Sequence, residues 1–245
     1  MDRERVPAGM PPAWPYYQLP CEYRDVRFQQ LFFQADPAAV APLVPAPLEP
    51  VASGLCASVA IDVPFASSYG SFQEWFLEVE CQFRGGRGFY VPLVCLNNVR
   101  AICAGREIYG TPKVWAEVSL EADGEALLGR ARLEEALLVE QRTVTNQRAR
   151  PEELPATFPA YRLKLIPSAD GRGAAVRQLV TASPSATELR DLRRGSGEVR
   201  FGQAGGIDLR GLRPRQLLDA FTFRLSYEEG WGEIVYDELA ELRTR

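Results

Sequence analysis

Apolar and polar residues alternate with a period of two along much of the chain, a pattern that predicts a protein built mainly of β-strands. The run 72–83 (FQEWFLEVECQF) is the most regular: Trp75, Leu77, Val79, Cys81 and Phe83 fall on one face, and Phe72, Glu74, Phe76, Glu78 and Glu80 on the other. A turn at Gly85-Gly86-Arg87-Gly88 and the apolar run 89–96 complete a predicted hairpin, interrupted at Pro92, which has no backbone N–H to give to a ladder. Further strands are predicted at 26–34, 55–63, 114–120, 126–133, 136–143, 161–166, 175–181, 198–202 and 221–226.

Helical periodicity is confined to short stretches. Asp36-Pro37 supplies an N-cap and a first-turn proline for a short helix ending near Pro45. Asn98 is the predicted N-cap of a second helix, in which Val99, Ile102 and Cys103 recur at helical spacing through Arg106 to Ile108 until Gly110 and Pro112 stop it. Lys113 then falls on a tight irregular connection before the next strand. Short helices are also predicted at 213–220, with Leu217 and Leu218 on one side, and at 234–242. Prolines at 7, 11, 12, 15 and 20 make residues 1–20 an irregular N-terminal arm, and 21–245 reads as a single domain with a long surface loop at 149–159.

Composition narrows the chemistry. The formal charge of -4 arises from 28 basic and 32 acidic residues that are interspersed, so no basic face predicts a nucleic-acid or membrane partner. Five cysteines without a CxxC pair sit mostly in apolar runs, which suits reduced thiols in the cytoplasm. There is no histidine, which removes Ser-His-Asp and Cys-His nucleophile systems, histidine-ligated zinc and imidazole bases. No metal or cofactor is expected.

Lysine is nearly absent as well: Lys113 and Lys164 are set against 26 arginines among the 28 basic residues. Arginine replaces lysine wherever only a surface charge is needed, but its guanidinium stays protonated and cannot form an imine. A retained lysine therefore has two readings, a stem laid over apolar surface or an amine nucleophile. The second requires desolvation, because a lysine of ordinary pKa, about 10.4, is neutral in only ~1 molecule in 2,500 at pH 7. Ile108, Tyr109, Pro112, Val114 and Trp115 make an apolar neighbourhood for Lys113. Imine chemistry also needs a proton carrier. Glu74, flanked on its strand face by Phe72 and Phe76, is the candidate, against the alternative of a solvated face continued by Glu78 and Glu80.

The run Gly105-Arg106-Glu107-Ile108-Tyr109-Gly110-Thr111-Pro112-Lys113 resembles the glycine-arginine-glutamate to proline-lysine motif of the acetoacetate decarboxylase superfamily, in which that lysine forms a Schiff base. Similar segments are Leu43-Val44-Pro45-Ala46-Pro47-Leu48-Glu49, Tyr161-Arg162-Leu163-Lys164-Leu165-Ile166-Pro167 with Asp170-Gly171, and Glu233-Ile234-Val235-Tyr236-Asp237-Glu238-Leu239, so the resemblance spans about residues 23–240. It implies a mainly β fold with a few peripheral helices, closed into an antiparallel barrel or cone around a pocket, and a homo-oligomeric assembly. It carries the Schiff-base lysine to Lys113 and the pocket glutamate to Glu74, and gives Lys164 a structural role.

Three departures bear on the reaction. Val114 stands where family decarboxylases have a second lysine, leaving apolar burial alone to depress the amine. The family's N-terminal carboxylate-binding arginine falls near Arg27 or Arg24, with Arg27 taken as the anchor. A further pocket glutamate would fall at Ser58 or Val59, where there is no carboxylate. In aldolase-dehydratase-like members the residue four before the lysine lines the pocket; here it is Tyr109.

The resulting expectation is an enzyme that condenses Lys113 with an oxo acid, pyruvate-like or a larger 2- or 3-oxo acid, and uses Glu74, with Tyr109, for proton transfer in an aldol condensation and dehydration. An oxo acid or aldehyde is its small-molecule partner. Decarboxylation of acetoacetate or another β-keto acid stays open, as does a non-catalytic barrel that binds a small ligand.

Overall fold

The computed structural model describes residues 18–243. Seventeen strands are formed: β1 (Cys21–Gln34), β2 (Glu49–Pro50), β3 (Leu55–Val63), β4 (Phe65–Ala66), β5 (Phe72–Phe83), β6 (Gly86–Leu96), β7 (Lys113–Trp115), β8 (Glu117–Asp123), β9 (Ala126–Leu133), β10 (Ala136–Arg148), β11 (Ala160–Pro167), β12 (Ala174–Thr181), β13 (Ser185–Phe201), β14 (Gln203–Ala204), β15 (Ile207–Asp208), β16 (Gln216–Glu229) and β17 (Glu233–Asp237). The helices are α1 (Pro37–Val40), α2 (Val99–Ala104) and α3 (Glu238–Arg243). One sheet runs in the order β17-β12-β11-β6-β5-β3-β1-β16-β13-β10-β9-β8, with β2, β4 and β7 paired to its flanks. Its ladders are antiparallel except where β6 meets β7 and β11.

The alternation on β5 decides what each face of the sheet becomes. Trp75, Leu77, Val79 and Cys81 enter a core with Leu31, Phe33, Cys56 and Leu138, closed from outside by β8, β9 and β10. The opposite face of the sheet carries a second apolar cluster that includes Phe32, Ile61, Val94, Phe221 and Phe223. A cavity opens on that second face. Residues of β11 and β16 line it together although four strands separate them in the sheet order, so the sheet curves around the space between them.

The expected closed barrel is not formed. The hydrogen-bonded path ends at β17 and at β8, and these edges do not pair. Side-chain packing takes the place of edge pairing: β8 contacts β3, β5 and β6 face-on. At Gly129 of β9 the backbone lies so close to Gln29 and Ala60 that an added Cβ would sit 2.6 and 2.9 Å from their side chains. The sheet is an open, curved one folded over its own outer face.

Strands 55–63, 72–83 and 126–133 match their sequence prediction at both ends. The hairpin turn is tighter than predicted: Arg84 and Gly85 both take positive φ, and Gly86 already pairs with Phe83. Two regions differ more. The predicted 198–202 strand is part of the 17-residue β13, whose period is broken by left-handed Ala186 and Asp191 at register shifts. Of residues 213–220, predicted helical from the adjacent Leu217 and Leu218, 216–220 instead open β16, with Gln216 and Leu217 paired to Gln34 and Phe33. Similarly, 234–242 divides into β17 and α3. Most of the proline-rich arm lies outside the described residues.

Candidate functional site

Local chain chemistry delivers Lys113 to the cavity. The Asn98 side chain caps α2 by accepting from the Ala101 N–H at 3.0 Å. The helix widens into a single π turn over Gly105–Tyr109 and stops at Gly110, whose φ of 74° is left-handed. The chain then returns, with Thr111 N–H donating to Gly105 O at 2.9 Å, and Lys113 becomes the first residue of β7, parallel to β6 beside Val94. This places it on a short strand, where the sequence predicted an irregular connection.

Two glycines of the motif have steric reasons. A Cβ on Gly105 would lie 2.5 and 2.6 Å from Cδ and Cε of Lys113, so the lysine stem passes over a bare backbone. A Cβ on Gly110 would lie 2.2 Å from the Cα of Lys164, which ties the expected structural lysine to the turn that aims Lys113.

Glu74 meets Lys113 directly. The Lys113 Nζ donates to Glu74 Oε2 at 2.7 Å, with side-chain exposures of 14% and 11%. Both line a cavity of about 500 Å³ together with Phe72, Phe76, Val94 and Tyr109. A part-buried amine and a carboxylate in contact can pass a proton in either direction along one hydrogen bond, and the aromatic and aliphatic walls limit competing water.

The remaining expectations divide. Tyr109 lines the cavity, but its hydroxyl donates to Gly230 O at 2.5 Å, and burial pushes its pKa far above the ordinary value. Its proton is therefore engaged with the backbone, and the residue contributes a wall. Arg27 does not reach the cavity: its Nη2 donates to Leu120 O at 2.6 Å and approaches Asp62 at 3.5 Å. Strand alternation is the cause, since Phe28 and Gln30 take the cavity face of β1 and leave Arg27 and Gln29 on the other. Arg24 is paired with Glu22 near the surface.

The cavity's arginine is Arg162 on β11, and its further carboxyls are Glu78 and Glu229. Glu78 is buried, and burial pushes its pKa up to about 8, against the opposing influences of the Arg162 charge and the Thr157 hydroxyl. The alternation of β5 puts Glu78 on the same face as Glu74, two side chains along, but a run of acids on one strand face is equally the pattern of a solvated one. For Arg162 the signal was its position between Tyr161 and Leu163, both of which pack into the outer core.

The positions considered for a further glutamate have other work. Val59 lines the cavity, while Ser58 faces outward and accepts from Trp75 Nε1 at 2.9 Å. Ser58 also donates to Gln141 Oε1, Gln141 Nε2 donates to Gln29 Oε1 at 3.0 Å, and Gln29 Nε2 donates to Leu127 O at 2.7 Å. This buried polar chain fixes β9 and β10 against the back of the site.

A model of the acetoacetate decarboxylase (ADC) family matches residues 5–239. The chain belongs to the acetoacetate decarboxylase family. It is accordingly an enzyme of the lyase class. Acetoacetate decarboxylase 1 of Bradyrhizobium diazoefficiens is 27% identical, over 98% of this chain and 97% of its own length. The acetoacetate decarboxylase structure from Legionella pneumophila superposes with a TM-score of 0.88 at 19% identity, covering 96% of this chain and 95% of that one. The enduracididine biosynthesis enzyme MppR, solved with the condensation product of pyruvate and imidazole 4-carboxaldehyde, gives a TM-score of 0.77 at 18% identity, over 90% of each chain. The last two likenesses concern the fold.

Proposed function

We propose that this family member is a Schiff-base enzyme in which Lys113 condenses with the carbonyl of an oxo acid, leading to aldol condensation and dehydration. The observation that carries the reading is the 2.7 Å contact between Lys113 Nζ and Glu74 Oε2 inside an apolar-walled cavity of about 500 Å³. Glu74 takes the ammonium proton and the neutral amine attacks the carbonyl carbon; a proton passes from the attacking nitrogen to the alkoxide oxygen, Glu74 protonates the resulting hydroxyl, and water leaves as the iminium forms. Glu74, ionised again, takes an α-proton from the iminium and leaves an enamine, the carbon nucleophile for an aldehyde. Elimination of water and hydrolysis of the imine then release an unsaturated oxo acid and regenerate Lys113. With pyruvate, one aldehyde yields one 2-oxo-3-enoate and one water.

Decarboxylation is the second reading, favoured by the 27% identical relative that bears that name. There the iminium accepts the electron pair released as carbon dioxide leaves a β-keto acid. It uses the same lysine and differs in which bond breaks.

Incubation with pyruvate or acetoacetate followed by borohydride reduction should add one dehydrated, reduced substrate mass at Lys113, and Lys113→Arg should prevent it. An adduct that persists in that variant, or no adduct with any of several oxo acids, refutes the Schiff-base reading. Carbon dioxide release from acetoacetate without condensation of pyruvate and an aldehyde selects decarboxylation.

A further inference from the structure

The Lys113–Glu74 contact leaves a second polar group in the same cavity unexplained. Glu78 is 5% exposed, lines the cavity, and its Oε2 has no hydrogen-bond partner. Arg162 reaches the same space from β11; its Nη1 donates to Ala160 O at 3.3 Å, and it forms no ion pair with a carboxylate among the described residues. A buried acid oxygen and an arginine without a carboxylate partner face a wall that also holds Thr157, Leu154 and Phe158.

Register locates this pair relative to the lysine. Glu74 opposes Leu96 of β6, and Lys113 lies beside Val94. Tyr161, which precedes Arg162, pairs with Tyr90, which in turn opposes Val79. Arg162 therefore shares a row with Glu78; because Val94 opposes Phe76, two residues of strand, about 7 Å of backbone, separate that row from Lys113, and four residues, about 13 Å, separate it from Glu74. The single bond of about 1.5 Å between the carbonyl and carboxyl carbons of a 2-oxo acid does not span such a gap.

Resting on the Schiff-base reading for the reacting end, we propose that Arg162 and Glu78 form a subsite for a carboxylate carried four or more bonds from the carbonyl that meets Lys113. Arg162 supplies the charge and a planar pair of donors. Glu78, held protonated at neutral pH by burial, donates from its hydroxyl where an ionised acid would repel the ligand. Lys113, Glu74 and Glu229 are the other charged groups on the cavity wall. The apolar residues between the two ends suit the methylene chain of such a substrate.

Hexanoate tests the subsite without imine chemistry, and 5-oxohexanoate tests the two ends together. Calorimetry should show hexanoate binding to the wild type, at least tenfold weaker binding to Arg162→Met, and partial recovery in Arg162→Lys. Hexanamide should bind more weakly than hexanoate. Hexanoate affinity should decline between pH 7 and 9 in the wild type and stay level in Glu78→Gln, which donates a hydrogen bond but does not ionise. Equal affinity for hexanoate and hexanamide, or unchanged affinity in both Arg162 variants, overturns the proposal, as does the absence of hexanoate binding. If hexanoate binds as described but borohydride traps no 5-oxohexanoate, the Schiff-base reading fails and the subsite stands.

Discussion

Replacing Gly105 by alanine tests whether the motif glycine is there to let the lysine pass. Its backbone, with φ of -59° and ψ of -42°, is ordinary right-handed helix, so alanine is conformationally acceptable. Helix propensity even favours the change by about 1 kcal/mol. The new methyl, however, would sit 2.5 Å from Lys113 Cδ and 2.6 Å from Cε. Carbon atoms pack at about 3.5–4.0 Å, so the stem must move by roughly 1 Å. The overpacking costs on the order of 1–3 kcal/mol, partly offset by propensity, and the net change lowers Tm by only a few degrees in a chain of this size. A displacement of about 1 Å at a reacting group costs on the order of 100-fold in rate, about 2.7 kcal/mol of barrier. The assay is the initial rate of borohydride-trapped adduct at Lys113 with a fixed oxo acid, beside a thermal melt of the same preparation. A trapping rate within threefold of wild type would falsify the steric account of Gly105. A collapse of Tm by tens of degrees would also refute it, by showing that the residue serves the fold first.

Glu74→Gln keeps the size and a hydrogen-bond acceptor but removes the proton carrier; trapping at Lys113 should slow by about 10²–10⁴-fold while circular dichroism stays unchanged, and a near-normal rate would assign the proton transfer to another group. Gln141→Leu leaves Ser58 and Gln29 short of partners in the buried chain behind the site and should cost about 2–4 kcal/mol in urea unfolding, with a loss below 1 kcal/mol counting against the network. Stability should also depend on Glu78. Its folded pKa, about 8, exceeds the ordinary 4.5, so the folded state holds the extra proton between those values. The stabilisation is complete below about pH 4.5 and is lost as pH rises through 8. The wild type should therefore lose more Tm between pH 5 and 9 than Glu78→Gln does, and parallel curves would show that Glu78 ionises freely.

What could be read from the sequence was what depends on neighbours along the chain. Period two marked β5 and sorted Phe72, Glu74, Phe76 and Glu78 from Trp75, Leu77 and Val79, because each successive side chain of a strand points to the opposite face. Asp36 and Asn98 announced their caps, since those bonds are made within three residues. Histidine's absence and lysine's rarity directed attention to Lys113, and the surrounding motif resembled the family to which the chain belongs. Of the polar strand β13 only the end near 198–201 was legible; the rest escaped, because its pairing with β10 and β16, rather than any apolar alternation of its own, makes it a strand.

Tertiary structure decided which face of the sheet became the cavity, and with it the identity of the polar groups inside. Alternation divides Arg27 from Phe28 but does not say which of them turns inward; that depends on β8, β9 and β10 covering one face while the sheet curves around the other. The same folding brings Arg162 to Glu78 from a strand more than eighty residues away and leaves the sheet open where a closed ring was expected. Lys113 and Glu74, 39 positions apart, could be nominated separately by sequence. Their 2.7 Å contact exists because β6 pairs with β5 on one side and with β7 on the other.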